Sequence, residues 1–343
     1  MSYEGLAILL NHLVGAVSDP GGQTNLAALA QHLELQVVQP LGPRAWLART
    51  ATGELVILKS GPGASAATLD FLRKLALLHP PWAFPRPRLA EADSYVVYEV
   101  IPGTPLSEGD FEDLQVLSAV FELSGRLSAL FRSLKLAPLM QGLSGPGSGS
   151  QPQGTRGQRL AALAAGLGHR QDSLAVRRLE ASQSYAWAQE LLSRCRDRWP
   201  AEDNHAAPAW PELEERVANT TSIHLAVHGS GLAHTSFTPE HLLRLPDGTW
   251  GVVGWQVAPR PYNYMRYRYL AWCLVHTHRG DLGPRYRHFL EIMPAIQSST
   301  AHPLTFVLAL LETWIEAGGA VKLRQEKLQV MGQFLAAALA REP

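Results

Sequence analysis

The sequence predicts an α+β protein with two lobes: a small lobe built on an antiparallel sheet, then a large and mostly helical lobe. Short apolar runs separated by turn residues fill residues 36–60 and 87–99, as antiparallel strands require. From residue 104 onward, apolar residues recur every three or four positions, except in one strand pair within 232–256. A chain of 343 residues is long enough to bury two such cores.

These patterns divide the chain into three parts. They are an N-terminal helical extension at 1–35, a small β-rich lobe at 36–103 and a large helical lobe at 104–343. The extension holds two predicted helices, at about 3–17 and 25–34, and Thr24 or Asn25 can cap the second.

The small lobe begins with three predicted strands, in the segments LQVVQPLG, AWLARTA and ELVILKS. A helix follows in SAATLDFLRKLALLH, and Pro80 and Pro81 end it because proline cannot continue a helix. The segment RPRLAEADSYVVYEV then predicts a second hairpin. The lobe is therefore a sheet of about five strands with one helix.

The large lobe begins with a long predicted helix from Asp110 to Lys135. Residues 142–158 are rich in Gly, Ser, Pro and Gln, which predicts a loop. Further helices are predicted at about 158–198, 210–219, 265–278, 283–292, 303–317 and 320–341.

The composition narrows the class of protein. Apolar residues make up 46% and charged residues 17%, a globular balance, and the formal net charge is zero. No overall charge therefore favours nucleic acid or an anionic membrane. Cys195 and Cys273 are too few for a disulfide framework, which favours a reducing cytoplasm. The N-terminus lacks a basic region, and no apolar run reaches the ~18 residues of a membrane span, so we expect no membrane association.

Three residues of the small lobe are candidates for ligand binding. Lys59 ends the apolar run ELVILK, where its ammonium could hold phosphate oxygens, although a solvated lysine at a strand end is the simpler alternative. Glu99 and Ile101 lie in YVVYEVIPG, which leads from the small lobe to the large one. A connector of this kind offers backbone N–H and C=O groups to a purine edge, unless it is a plain edge strand and turn.

Together with these segments, AHTSFTPEHLLRLPDGTWGVVGW resembles the aminoglycoside phosphotransferase/choline kinase superfamily, which has a protein-kinase-like fold. The resemblance covers about residues 36–275. It places His234 on the histidine of the family's catalytic loop, Ser236 on the catalytic aspartate and His241 on the metal-binding asparagine. It also places Gly254 on the second metal ligand, an aspartate that Trp255 would follow.

The replacements at these positions imply impaired catalysis. A serine hydroxyl is no carboxylate base, imidazole is a poor Mg²⁺ ligand, and glycine has no ligating side chain. The sequence thus predicts a pseudokinase that binds a small molecule or a protein partner. We expect no cofactor and no metal, and at most weak binding of ATP or GTP without a metal.

Two alternatives stay open. A rearranged but active phosphotransferase or nucleotidyltransferase could recruit carboxylates from Asp70, Glu240 or Asp281. A stripe of Tyr and Arg in RPYNYMRYRYLAW could instead contact nucleic acid through Arg260, Arg266 and Arg268, or pack its aromatics inward under the arginine stems. The spacing of Cys273, His276, His278 and His288 matches no recognised zinc site.

Overall fold

The computed structural model describes residues 29–42, 45–60, 66–77, 80–91, 94–133, 169–199, 210–215, 217–218, 230–261, 263–276 and 303–317. Contacts between residues divide the chain into two compact units. The first comprises Met1–Val116 and His234–Val257, and the second Leu117–Ala233 and Ala258–Pro343. The predicted helix at 3–17, the loop at 142–158 and the helices at 283–292 and 320–341 lie outside the described residues.

A five-stranded antiparallel sheet forms the centre of the first unit. Its strands are β1 (Gln36–Gly42), β2 (Ala45–Arg49), β3 (Leu55–Ser60), β4 (Pro87–Glu91) and β5 (Tyr95–Glu99), in the order β1-β2-β3-β5-β4. Helix α1 (Ala66–Leu77) lies between β3 and β4 in the chain. The predicted α+β class, with an antiparallel N-terminal sheet and a mostly helical C-terminal part, is confirmed.

The two faces of this sheet carry different cores because side chains alternate along each strand. Val56 and Leu58 of β3 are fully buried and pack with Trp46, Ala48 and Val97, and with Ala30 from the segment before β1. Leu55 and Ile57 pack on the opposite face. Lys59 follows the same alternation, so it belongs to the face of Leu55 and Ile57.

A second, three-stranded sheet of the first unit has the order β6-β8-β9. It contains β6 (Thr104–Pro105), β8 (Leu242–Arg244) and β9 (Trp250–Val252), with a short 3-10 helix, Pro239–His241, before β8. Ala83 also exchanges backbone hydrogen bonds with β9, from its N–H to Trp250 O and from Val252 N–H to its own oxygen, both at 2.8 Å. These bonds join the hairpin, assigned from the sequence to the large lobe, to residues of the first unit.

The second unit is mostly helical. Its helices are most of α2 (Leu114–Ser133), and all of α3 (His169–Arg198), α4 (Tyr264–His276) and α5 (Pro303–Glu316). Helix α5 packs against both α3 and α4. Strands β7 (Ser230–His234) and β10 (Val257–Pro261) pair with each other. Within the described ranges, no helix combines the length and hydrophobicity that crossing a bilayer requires.

The helix predicted from Asp110 begins later than expected. A 3-10 helix spans Glu108–Glu112, and α2 starts only at Leu114. The carboxylate of Asp113 accepts hydrogen bonds from the N–H groups of Gln115 at 2.8 Å and Val116 at 3.4 Å. Asp113 therefore caps the N-terminus of α2 and separates the two helices.

Candidate functional site

The loop after β7 is held by its own backbone. Thr235 N–H donates to the Gln256 carbonyl at 2.8 Å, and Thr238 N–H donates to the Ser236 carbonyl at 2.9 Å. Ser236 thus lies at a tight turn and is partly exposed, whereas Phe237 and Thr238 are buried beside it. Ser236, which the resemblance places on a catalytic aspartate, carries a neutral hydroxyl.

His234, at the start of this loop, is fully buried. Its Nε2 lies 2.9 Å from the Val253 carbonyl, and its ring stacks on Trp255 with centroids 4.7 Å apart and planes 17° apart. The pKa of His234 falls to about 4, chiefly because the ring is buried; the backbone of Val253 and Gln256 raises it, and the nearby Lys59 cation lowers it. The ring is therefore neutral at pH 7 and donates its Nε2 proton to Val253.

Trp255 connects this histidine to helix α1. Its ring centroid lies 5.3 Å from that of Phe71 on α1, with the planes tilted by 47°. Its Nε1–H donates to the Val252 carbonyl at 2.9 Å. The rings of Phe71, Trp255 and His234 thus contact one another in series, and we call this set the aromatic column. All three side chains are buried, so the column fixes α1 and the loop to each other.

Gly254 and His241 are in direct contact. Gly254 has a φ of +68°, a conformation that favours glycine. A Cβ placed on it would lie 2.5 Å from Nε2 and 2.9 Å from Cγ of His241, and closer still to Cδ2. Real Cβ atoms essentially never approach another atom to under 3.0 Å. The imidazole of His241 thus fills the space that a side chain at residue 254 would need.

Neighbouring groups hold the His241 ring in this position. Its Nδ1 lies 2.8 Å from the hydroxyl of Thr238 and 3.8 Å from a carboxylate oxygen of Glu240. Its backbone carbonyl accepts a hydrogen bond from Val253 N–H at 3.0 Å. The His241 ring is therefore held by Thr238 and Glu240, and the backbone that carries it is held by Val253.

The Mg²⁺ that the family resemblance implies does not fit these residues. Mg²⁺ needs an octahedron of oxygen ligands, and the two positions offer an imidazole and no side chain at all. The imidazole also occupies the volume between them. Among the described residues, no group of three or more His, Cys, Asp or Glu side chains is arranged to hold a metal ion.

Lys59 is half-buried, and none of the described carboxylates forms an ion pair with it. It pairs through its backbone with Ala45 of β2 and Val96 of β5 near the end of β3. Its ammonium has no hydrogen bond or ion pair within the part of the chain that the structure describes. Burial lowers the pKa of Lys59, and its charge reaches His234. This arrangement leaves its charge uncompensated by any described carboxylate.

The two connector residues differ in what they offer. Arg88 contacts the Glu99 carboxylate at 3.3 Å, and the Glu99 N–H donates to the Arg86 carbonyl at 3.2 Å. Ile101 is half-buried, and its amide N–H and carbonyl have no partner among the described residues. Of these two residues, Ile101 is therefore the one whose backbone N–H and carbonyl both lack a partner among the described residues.

Some features of the site carry no local signal in the sequence. Arg88 forms a two-pronged ion pair with Glu54, 34 residues away, and one prong measures 2.6 Å. The contact between His241 and Gly254 requires the loop to fold back on the hairpin. Of the carboxylates considered for a rearranged site, Glu240 lies beside His241, the side chain of Asp70 in α1 is not described, and Asp281 lies outside the described residues.

The Arg/Tyr stripe packs inside the second unit. The Arg260 guanidinium lies 4.2 Å from the Trp187 ring centroid and 3.2 Å from Glu312, and Arg268, 3% exposed, bonds Thr313 and Glu316. Arg266 donates to the Ser124 hydroxyl at 3.1 Å. The three arginines are thus engaged with their own unit, as in the inward-packing alternative.

Cys273 is buried, and His278 and His288 lie outside the described residues.

No protein-family model matches the sequence, and no curated protein matches it. Choline kinase LicA from Streptococcus pneumoniae is similar in structure, with a TM-score of 0.47 and 12% identity, over 93% of this chain and 99% of that one. Aminoglycoside phosphotransferase APH(3'')-Id from Streptomyces rimosus, solved with ADP and streptomycin, is similar with a TM-score of 0.44 and 16% identity, over 87% of this chain and 100% of that one. A choline kinase from Cryptosporidium parvum is similar with a TM-score of 0.45 and 10% identity, over 92% of this chain and 94% of that one. The chain is thus structurally similar to members of the aminoglycoside phosphotransferase and choline kinase group.

Proposed function

We propose that this chain is a catalytically impaired phosphotransferase-like protein, a pseudokinase, that acts by binding a ligand or a protein partner. The observation that carries the proposal is the His241 ring in the side-chain space of Gly254. A neighbouring side chain could supply the oxygen ligand lost by a single replacement. Here, however, the ring at position 241 fills the space that a ligating side chain at position 254 would need. Both positions would have to change together before oxygen ligands could occupy this space.

The chemistry of phosphoryl transfer supports this view. Transfer needs metal ions to neutralise charge on the phosphates and a carboxylate to orient the acceptor hydroxyl. Ser236, His241 and Gly254 supply neither an oxygen-ligand pair nor a carboxylate. Removing a single stabilising group from an active site typically slows catalysis by about 10²–10³, so the loss of three groups argues for a role without transfer.

The remaining parts of the site support a binding role. The aromatic column of Phe71, Trp255 and His234 holds α1, the loop and the hairpin in one arrangement. Lys59 offers a cation and Ile101 a backbone amide, and neither group has a partner among the described residues. The two cysteines are free and buried, in keeping with a reducing compartment, for which we propose the cytoplasm.

Thermal unfolding in the presence of ATP or GTP, with and without Mg²⁺ or Mn²⁺, tests the proposal. A ligand at a hundred times its Kd adds about 2.7 kcal/mol of stability. We expect any shift of the unfolding midpoint to be the same with and without metal, and no phosphate transfer to water or to a hydroxyl acceptor.

A metal-dependent shift together with phosphate release would overturn the proposal. It would favour the alternative, an active enzyme with a rearranged site. Glu240 is the carboxylate to test first in that case, because it already lies 3.8 Å from His241. A Glu240→Gln variant would then lose the metal-dependent shift.

A further inference from the structure

We infer that residues 29–35 form an exchangeable cover for the five-stranded sheet. The cover packs on the sheet of its own chain, and by exchange it packs on the same sheet of a second copy and joins the two copies in a dimer. Glu34 is the hinge of this exchange. The inference goes beyond the proposed function and does not depend on it, because no residue of the candidate site takes part.

The cover lies on an apolar face of the sheet. Ala30 is 1% exposed and packs with buried side chains of β2, β3 and β5, namely Trp46, Ala48, Val56, Leu58 and Val97. Leu29, Leu33 and Leu35 pack against the same cluster and are partly buried, whereas the side chains at 31, 32 and 34 are exposed. The cover is therefore amphipathic, and its apolar side fits this face in its own chain or in an identical one.

The end of the cover has a strained backbone. The Glu34 N–H donates to the Gln31 carbonyl at 3.1 Å, and the Leu35 N–H donates to the Ala30 carbonyl at 2.9 Å. These two bonds form a Schellman motif, in which glycine usually occupies the position of Glu34. Glu34 has a φ of 55°, which is unfavourable for a residue with a side chain. A short connection under strain favours exchange, because opening it relieves the strain and the packing of the cover is recovered on the second copy.

The strand that follows the hinge offers a further contact to a second copy. β1 is the edge strand of the sheet, and Val37 and Val38 are 39% and 41% exposed. The segment QVVQ at 36–39 reads the same in both directions, so an antiparallel approach of two copies places valine opposite valine. A register shift between Val37 and Gln39 makes the strand irregular, which disfavours open-ended strand pairing. Because both hinges cross between the copies, these valines lie close to the two-fold axis of an exchanged dimer.

Size-exclusion chromatography with light scattering, on the full chain at increasing concentration, tests the inference. We expect a dimer that forms slowly, forms faster in mild urea, and persists for hours after dilution, because exchange requires the cover to leave its sheet. A dimer that dissociates at once on dilution would reflect simple association and would overturn the exchange.

Substitutions at the hinge should change the dimer in opposite directions. Glu34→Gly relieves the strain in the unexchanged chain and should raise the Kd of the dimer about tenfold. Glu34→Pro cannot adopt a positive φ and should lower the Kd. Asn263→Gly is the matched control: Asn263 has a φ of 62° in the second unit, so its replacement relieves similar strain away from the hinge and should leave the Kd unchanged.

Val38→Lys tests the valine contact. It places a charge on the edge strand and should raise the Kd, with little change in monomer stability because the side chain is already exposed. Glu34→Gly keeps the test decisive even where Glu34→Pro does not fold, since glycine suits the existing backbone. The inference would be overturned by the absence of a wild-type dimer up to about 1 mM, by equal Kd values for the wild type and Glu34→Gly, or by an equal effect of Asn263→Gly.

Discussion

The imidazole of His241 occupies the volume into which a side chain at residue 254 would project. Gly254 is therefore constrained twice, by its φ of +68° and by the ring above it. His241 is constrained in turn by Thr238, whose hydroxyl lies 2.8 Å from Nδ1. His241 and Gly254, which the resemblance places at the metal positions, thus pack directly against each other, and the ring excludes a side chain at residue 254.

Gly254→Ala should destabilise the protein more than a glycine substitution with the same backbone conformation. Gly248 has a φ of +79°, and nothing lies within 4 Å of a Cβ added there, so Gly248→Ala measures the backbone effect alone, about 1–2 kcal/mol. Gly254→Ala adds the clash with His241, worth about 1–3 kcal/mol more. Urea unfolding of both variants gives the difference in the free energy of unfolding.

The double variant His241→Ala/Gly254→Ala provides the control. If the ring causes the additional loss, removing it should restore most of the difference between the Gly254 and Gly248 variants. Equal destabilisation of Gly254→Ala and Gly248→Ala would show that the ring does not occupy this space in solution.

The paired variant His241→Asn/Gly254→Asp should gain metal dependence. It places an amide oxygen and a carboxylate where the family resemblance expects metal ligands, and it removes the ring between them. Mg²⁺ should then raise the unfolding midpoint in the presence of ATP, an effect that we do not expect for the wild type. Gly254→Asp alone should be destabilised and insensitive to Mg²⁺, because His241 still fills the site.

Much of the fold could be predicted because its signals are local. AWLAR and LVILK are short apolar runs between turn residues and form β2 and β3, and Leu72 and Leu75 of α1 are spaced as one face of a helix requires. The first residue of α2 was harder to predict from the sequence. The apolar period continues through Asp113 without a break, so it does not mark the place where this residue caps the helix. The residue types at the candidate site indicated lost chemistry, but not that His241 packs onto Gly254, because that contact depends on how loop and hairpin fold together.

The role of the arginines shows the same limit. The spacing of Arg and Tyr residues in the sequence did not decide whether Arg260 contacts a partner at the surface or packs inside the protein. Its partners Trp187 and Glu312 lie on helices far along the chain, 73 residues before it and 52 after it by residue number. Only the packing of α3 against α5 brings these side chains together, and no local pattern in the sequence encodes it.

Arg260→Ala should destabilise the second unit by about 2–4 kcal/mol in the free energy of unfolding. The change removes the cation that pairs with Glu312, both at 11% exposure, and the guanidinium stacked on Trp187. Arg260→Lys should recover only part of the loss, because an ammonium lacks the planar stacking surface. Arg244→Ala is the matched control, since that exposed pair with Asp110 should contribute no more than about 1 kcal/mol. Equal losses in the two alanine variants would contradict a buried role for Arg260.

His234 should make the stability of the protein depend on pH between about 6.5 and 4. Its pKa falls from an ordinary value of 6.5 to about 4 in the folded protein, chiefly because the ring is buried. The unfolded chain therefore binds a proton first as the pH falls, and the stabilisation present above pH 6.5 is lost progressively until about pH 4. The loss from this one group amounts to about 3 kcal/mol.

His234→Gln isolates this contribution. Glutamine can still donate an amide hydrogen to the Val253 carbonyl, but it does not titrate. Urea unfolding at a series of pH values should therefore show a flatter profile for the variant, with the difference confined to the window between pH 6.5 and 4. Parallel profiles for the two proteins would mean that His234 is accessible to protons in the folded state. That result would contradict the claim that His234 is buried and neutral in the folded protein, since a solvated imidazole keeps its ordinary pKa.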